Sequence, residues 1–82
     1  MDSAIACAVQ ERLLELCRRD GITVNKMCTR AAVPQSSINN FMNQKTHSIG
    51  IINLKKLIDS FDMTITEFFD AEVFRTLEQE LK

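Results

Sequence analysis

The feature that most constrains the fold is a pair of short amphipathic patterns separated by only three residues. The first pattern lies at 24–31 and the second at 35–43. The apolar stripe of the first consists of Val24, Met27, Cys28 and Ala31. In the second, Ile38 and Phe41 fall on one helical face. Pro34 interrupts the periodicity before it and fits the first position of a new helix. The spacing therefore predicts two short helices joined by a tight turn, and Thr23 is the predicted N-cap of the first.

Three further helices are predicted, which makes the chain all-α with five helices. One covers 3–19, one covers 51–61, and one begins at the capping-box sequence TITE, 64–67. Their inward residues are predicted to be Ile5, Val9, Leu13, Leu16, Ile51, Leu54, Leu57, Ile58, Phe61, Ile65, Phe68 and Phe69. Two glycines and one proline supply few tight turns, so an all-β fold is poorly supported. We expect one domain over 1–70, followed by a tail over 71–82.

The tail carries its own apolar stripe. Val73, Leu77 and Leu81 recur at helical spacing among acidic residues. Such a stripe requires a partner surface. It forms part of a dimer contact in one interpretation and folds back on the first helix of the same chain in the other.

The outward face of 35–43 has an unusual composition. Ser37, Ile38, Phe41 and Met42 are predicted to lie inward, and the opposite half carries Gln35, Ser36, Asn39, Asn40, Asn43 and Gln44. Asn and Ser are poor helix formers, whereas a solvated face usually carries Lys and Glu. Amides and hydroxyls of short reach suit the base edges of a DNA major groove. The alternative is a merely polar surface helix.

Charge is segregated along the chain. No Asp or Glu occurs between Gly21 and Ile58, although the net charge of the whole chain is only −1. The middle segment instead carries Lys26, Arg30, Lys45, Lys55, Lys56 and His47. This pattern favours an anionic partner for the middle of the chain.

At these residues the chain resembles the Cro/repressor-like (lambda repressor-like) helix-turn-helix family of phage and bacterial regulators. The run GITVNKMCTRAAVPQSSINNFMNQKTHS, 21–48, matches the family's helix-turn-helix and the loop after it, and LKKLIDSFDMTITEFF, 54–69, matches its last two helices. Three positions depart from the pattern. Ala32 and Gln44 stand where relatives often have glycine, and Pro34 replaces a hydroxyl cap. A positive φ at Ala32 would be strained.

The resemblance implies double-stranded DNA as the partner. Base contacts would come from Gln35, Ser36, Asn39 and Asn40. Contacts to the sugar-phosphate backbone would come from Thr23, the amide of Val24, Asn43, Lys45, Thr46 and His47.

The leading hypothesis is a sequence-specific transcriptional regulator, a homodimeric repressor on a two-fold symmetric operator. The alternative is a protein-interaction module or antitoxin of the same fold. An enzyme is not expected, because neither paired carboxylates nor a phosphate loop is present. We expect no metal, cofactor or small-molecule ligand, since Cys7, Cys17, Cys28 and His47 match no ligand spacing. Unpaired cysteines and the lack of a long apolar run predict a cytoplasmic protein without a membrane span.

Overall fold

The computed structural model describes residues 4–46, 48–77, 79 and 81, and its regular elements are all helices. In chain order they are α1 (Ala4–Asp20), α2 (Val24–Ala31), α3 (Gln35–Met42), α4 (Ile51–Ser60), α5 (Ile65–Phe69) and α6 (Glu72–Arg75). The all-α class is confirmed, and the ends of α1 to α4 lie within one residue of the predicted ones. The short α6 adds a sixth helix within the segment predicted as the tail.

Two threonine caps begin α2 and α5, as predicted. The hydroxyl of Thr23 accepts a hydrogen bond from the Lys26 backbone N–H at 3.0 Å. Thr64 and Glu67 form the complete capping box, with reciprocal bonds of 3.1 Å and 2.8 Å. Pro34 differs from expectation, because it is the N-cap of α3 and not its first helical residue.

The core gathers apolar side chains from α1 to α5. Its buried members are Ala6, Val9, Leu13, Leu16, Cys17, Met27, Cys28, Val33, Ile38, Phe41, Leu57, Ile58, Phe61 and Phe68. Two residues predicted to face inward do not. Ile51 is 81% exposed at the first position of α4, and Ser37 is exposed although it precedes buried Ile38. Ile5 and Ile65, which were also predicted to face inward, are 38% and 50% exposed.

Two of the cysteines are part of this core. Cys17 and Cys28 are buried and free, and the sulfur of Cys17 lies 3.6 Å from that of Met27. Burial raises the pKa of both thiols, which keeps them neutral at neutral pH. They act as small apolar side chains. The described residues contain no cluster of three His, Cys, Asp or Glu able to hold a metal ion.

Two arginines connect the helices. Arg12 of α1 donates to the backbone carbonyls of Phe68 at 2.7 Å and Glu67 at 3.0 Å, which satisfies the end of α5. Arg30 of α2 pairs with Asp20 at 3.1 Å and lies over the Phe61 ring at 4.9 Å. These contacts fix α1, α2 and the end of α4 relative to one another.

The tail segment begins by folding back on α1. Phe74 of α6 packs against Phe69 and Phe68, with ring centroids 4.7 Å and 5.9 Å apart. Half-buried Val73 lines a cleft of about 370 Å³ with residues of α1, among them Leu14. Beyond α6, Leu77 is half-buried and Leu81 is 89% exposed. Val73 thus lies beside α1, and both interpretations of the stripe stay predictions.

No helix in the described part of the chain combines the length and the apolar content that crossing a membrane requires.

Candidate nucleic-acid interface

A tight turn sets α3 against α2. Ala32 has φ 57° and ψ 45°, the left-handed conformation that closes a helix. The Ala32 N–H donates to the Thr29 carbonyl at 3.3 Å, and the Val33 N–H donates to the Cys28 carbonyl at 3.1 Å. Val33 is buried beneath the turn. The strained φ foreseen at Ala32 is thus present, and it costs about 1–2 kcal/mol relative to glycine.

The inner face of α3 is anchored in the core. Ile38 and Phe41 are each 1% exposed. At the end of the helix, the side-chain amide of Gln10 donates to the Phe41 carbonyl at 2.8 Å in a buried contact. Gln10 was missed by the sequence reasoning. Its position on the α1 stripe, between Ala6 and Leu13, was the available signal.

The outer face of α3 displays the side chains predicted to contact bases. Gln35, Ser36 and Asn40 are exposed, and Asn39 is half-buried. The structure therefore brings all four to one side of the molecule, opposite Ile38 and Phe41. Their contacts with bases stay predictions.

Two of these amides are also held by α2. The Gln35 amide nitrogen donates to the Thr29 hydroxyl at 3.3 Å, and the Asn39 amide nitrogen donates to the Asn25 side-chain oxygen at 3.4 Å. Thr29 and Asn25 were not predicted as site residues. Nothing in the local sequence identifies their partners on α3.

The beginning of α2 adjoins this face. Thr23 is exposed although its hydroxyl caps the helix, and the Val24 amide belongs to the first turn, where helical N–H groups lack intrahelical acceptors. Lys26 is exposed in the same turn. An N–H cluster with a nearby ammonium group is suited to phosphate.

The loop after α3 turns back on the helix. Gln44 has φ 63°, so it is strained in the same way as Ala32 and also stands where glycine was expected. The Lys45 N–H donates to the Asn40 carbonyl at 2.8 Å. Asn43, Lys45 and Thr46 are exposed. His47, also predicted to contact phosphate, lies outside the described residues.

A shallow cleft of about 290 Å³ lies between α3 and the beginning of α4. Hydroxyl and amide groups line it, from Ser37, Asn40, Thr46, Ser48 and Asn53. Gly50 caps α4 without a side-chain hydrogen bond, so the cleft adjoins an uncapped helix start. Ser48 and Asn53 were not predicted as site residues.

The middle segment keeps part of its positive charge unpaired. Arg30 pairs with Asp20, and Lys55 pairs with Asp59 at 2.5 Å. Hydrogen bonds from Arg19 and Arg30 hold the pKa of the Asp20 carboxyl below its usual value. Lys26, Lys45 and Lys56 form no ion pair with residues of the described ranges. Lys26 and Lys45 are therefore available to an anionic ligand beside α3.

Helices α2 and α3 form a helix-turn-helix. A three-residue turn joins them, and α3 is amphipathic with its polar face outward. A family model described as the Cro/C1-type HTH DNA-binding domain matches residues 12–73. The chain belongs to this family of DNA-binding domains. No curated protein and no solved structure matches it.

Proposed function

We propose that this protein is a sequence-specific transcriptional repressor of the phage and bacterial type, acting in the cytoplasm as a homodimer on a two-fold symmetric operator. The observation that carries the proposal is the two-sided character of α3. Its inner residues Ile38 and Phe41 are buried, while its outer residues are uncharged amides and hydroxyls. Membership of the Cro/C1-type family supports DNA as the partner, and this family is typically non-enzymatic.

In this proposal α3 enters the major groove. Gln35, Ser36 and Asn40 contact base edges, with Asn39 beside them. Phosphates are contacted by Thr23, Val24, Asn43, Lys45, Thr46 and His47. This division is supported by the exposure of most of the described members, which are Thr23, Gln35, Ser36, Asn40, Asn43, Lys45 and Thr46.

A single helix-turn-helix contacts few base pairs, so useful specificity requires two copies about 34 Å apart on DNA. We propose that the stripe Val73, Leu77 and Leu81 contributes to the contact between copies. The exposure of Leu81 supports its availability for such a contact. In this proposal Val73 contributes less than Leu81, because it is half-buried beside α1.

A second candidate function is a protein-interaction module, for example a DNA-binding antitoxin. The observation that favours it is an apolar pair at the start of α4. Ile51 and Ile52 are 81% and 70% exposed. Large aliphatic side chains at such exposure are typical of protein contacts when they cluster.

The direct test is selection of bound sites from random duplexes, repeated with Gln35→Ala. We expect the wild-type protein to select a two-fold symmetric sequence. Gln35→Ala should cost about 1–3 kcal/mol on that sequence and little on random DNA, because it removes one base contact. Gln79→Ala, the same change at an exposed tail position, is the matched control. Equal weakening of specific and random DNA by Gln35→Ala would refute the assigned base-contact face.

The dimer contact is tested by Leu81→Ser. Because Leu81 is 89% exposed, the change should leave the fold intact and weaken self-association measured by sedimentation. Binding to a half-site should survive while binding to the full site falls. Deleting 71–82 is a poorer test, since it also removes Phe74 from its aromatic contacts. The control is Ile65→Ser, at an apolar position outside the tail that is 50% exposed. Identical dimer affinity in the wild-type and Leu81→Ser proteins would exclude this contact.

A further inference from the structure

A short chain of hydrogen bonds runs from α3 into α2. The Gln35 amide nitrogen lies 3.3 Å from the Thr29 hydroxyl oxygen, and that hydroxyl lies 3.1 Å from the backbone carbonyl of Asn25. All three groups are on exposed residues beside the outer face of α3. One end of this series of hydrogen bonds is therefore Gln35, a residue assigned to base contact.

The Asn25 carbonyl determines which groups in this series of hydrogen bonds donate and which accept. The Asn25 carbonyl can only accept a hydrogen bond, so the single hydroxyl proton of Thr29 is donated to it. The Thr29 oxygen is then left with lone pairs toward Gln35. It can accept a bond from the amide NH₂ but cannot donate one to the amide oxygen. Exchanging Nε2 and Oε1 of Gln35 would place two acceptors against each other.

The pair formed by Asn39 and Asn25 does not carry the same information. Both partners are side-chain amides, so exchanging oxygen and nitrogen in both preserves a hydrogen bond in the opposite direction. The inference therefore rests on Gln35 and Thr29 alone.

We propose that Thr29 is a positioning residue that determines base specificity by fixing the orientation of the Gln35 amide. The amide nitrogen is directed toward α2, and Oε1 is the group presented on the far side. Oε1 accepts a hydrogen bond from an exocyclic amino group of the contacted base, which is N6 of adenine or N4 of cytosine. This inference rests on the proposed role of Gln35 as a base-contacting residue.

A freely rotating glutamine would discriminate less. Rotation by half a turn exchanges its acceptor for a donor, which would then bond to O6 of guanine or O4 of thymine. Holding the side chain in one orientation before binding also removes part of the ordering cost of the complex. Thr29 therefore supplies specificity and some affinity without contacting the base.

The experiment compares the wild-type protein with Thr29→Val, which keeps the branched shape but removes the hydroxyl, and with Thr29→Ser, which keeps the hydroxyl. The base pair contacted by Gln35 is first located as the position whose preference Gln35→Ala loses. Binding is then measured to three duplexes: the selected site, the site with that pair inverted, and the site lacking the exocyclic amino group. The last carries purine in place of adenine, or pyrimidin-2-one in place of cytosine.

For the wild-type protein we expect the inverted pair to weaken binding about tenfold, and loss of the amino group to weaken it about three- to tenfold. Thr29→Val should reduce both penalties to about twofold or less while its binding to random DNA stays unchanged. Thr29→Ser should retain both penalties. Melting temperatures of the variants are measured as well. A general structural effect would lower the melting temperature and weaken binding to all duplexes alike.

Thr29→Val with undiminished penalties would overturn the inference, as would a wild-type protein insensitive to loss of the amino group. Both outcomes leave the proposed function standing, because a selected site still exists. If the wild-type protein selects no sequence, the proposed function itself fails.

Discussion

Replacing Ile38 with alanine is expected to lower the free energy of unfolding by about 2–5 kcal/mol. Ile38 is 1% exposed on the inner face of α3, where its side chain belongs to the buried core cluster. Removing most of that side chain forfeits its burial and leaves a cavity that the surrounding helices fill only partly. The total free energy of unfolding of a native domain is about 5–15 kcal/mol, so the loss is a large share of its stability. Urea or thermal denaturation measures it.

The neighbouring residue supplies the control. Ser37→Ala changes the adjacent position of the same helix, but Ser37 is exposed. We expect it to change stability by no more than about 0.5 kcal/mol. Equal effects of the two substitutions would show that the helical phase of α3 is wrong.

Raising the salt concentration from about 50 to 200 mM is expected to weaken DNA binding roughly a hundredfold. Lys26 and Lys45 lie beside α3 without an ion pair in the described ranges. In a dimer they supply about four phosphate contacts, which corresponds to a slope near −3.6 of log affinity against log salt. Titration of a labelled duplex at several salt concentrations measures the slope. A flat profile would favour the protein-interaction alternative.

Lys45→Ala tests the origin of this slope. It should reduce the slope by about one for each protomer and weaken binding to every duplex alike, because a phosphate contact carries no sequence information. Lys55→Ala is the matched control, since Lys55 already pairs with Asp59 and should affect the slope less. If both variants behave identically, Lys45 is not a phosphate contact.

Periodicity predicted the helices well because helix ends and apolar stripes are local properties. The caps at Thr23 and Thr64 were predicted for the same reason. Ile51 shows where this reasoning stops. It lies on the same stripe as Leu54 and Ile58, but it is the first residue of α4 and remains exposed. A stripe gives the direction a side chain faces, and it does not show how far the core extends along the helix.

The sequence predicted which side chains lie on the outer face of α3, whereas it did not predict the hydrogen bonds that support this helix. Gln10 bonds to Phe41 across 31 residues of sequence, and Thr29 meets Gln35 only because the turn brings α2 and α3 together. Such partners depend on the assembled tertiary structure. A polar residue within an apolar stripe, as at Gln10, indicates a buried hydrogen bond but not its acceptor.

The attachment of α3 at both ends has a consequence for how much active protein a population of chains contains. An isolated helix of eight residues is not stable in water, so α3 exists only while the core that holds it is intact. The fraction of molecules competent to bind DNA therefore equals the folded fraction, and the apparent dissociation constant rises as its reciprocal. A substitution far from DNA leaves occupancy nearly unchanged while the folded state dominates, and abolishes it once unfolded chains prevail. The concentration of active protein is thus governed by the free energy of unfolding of the core.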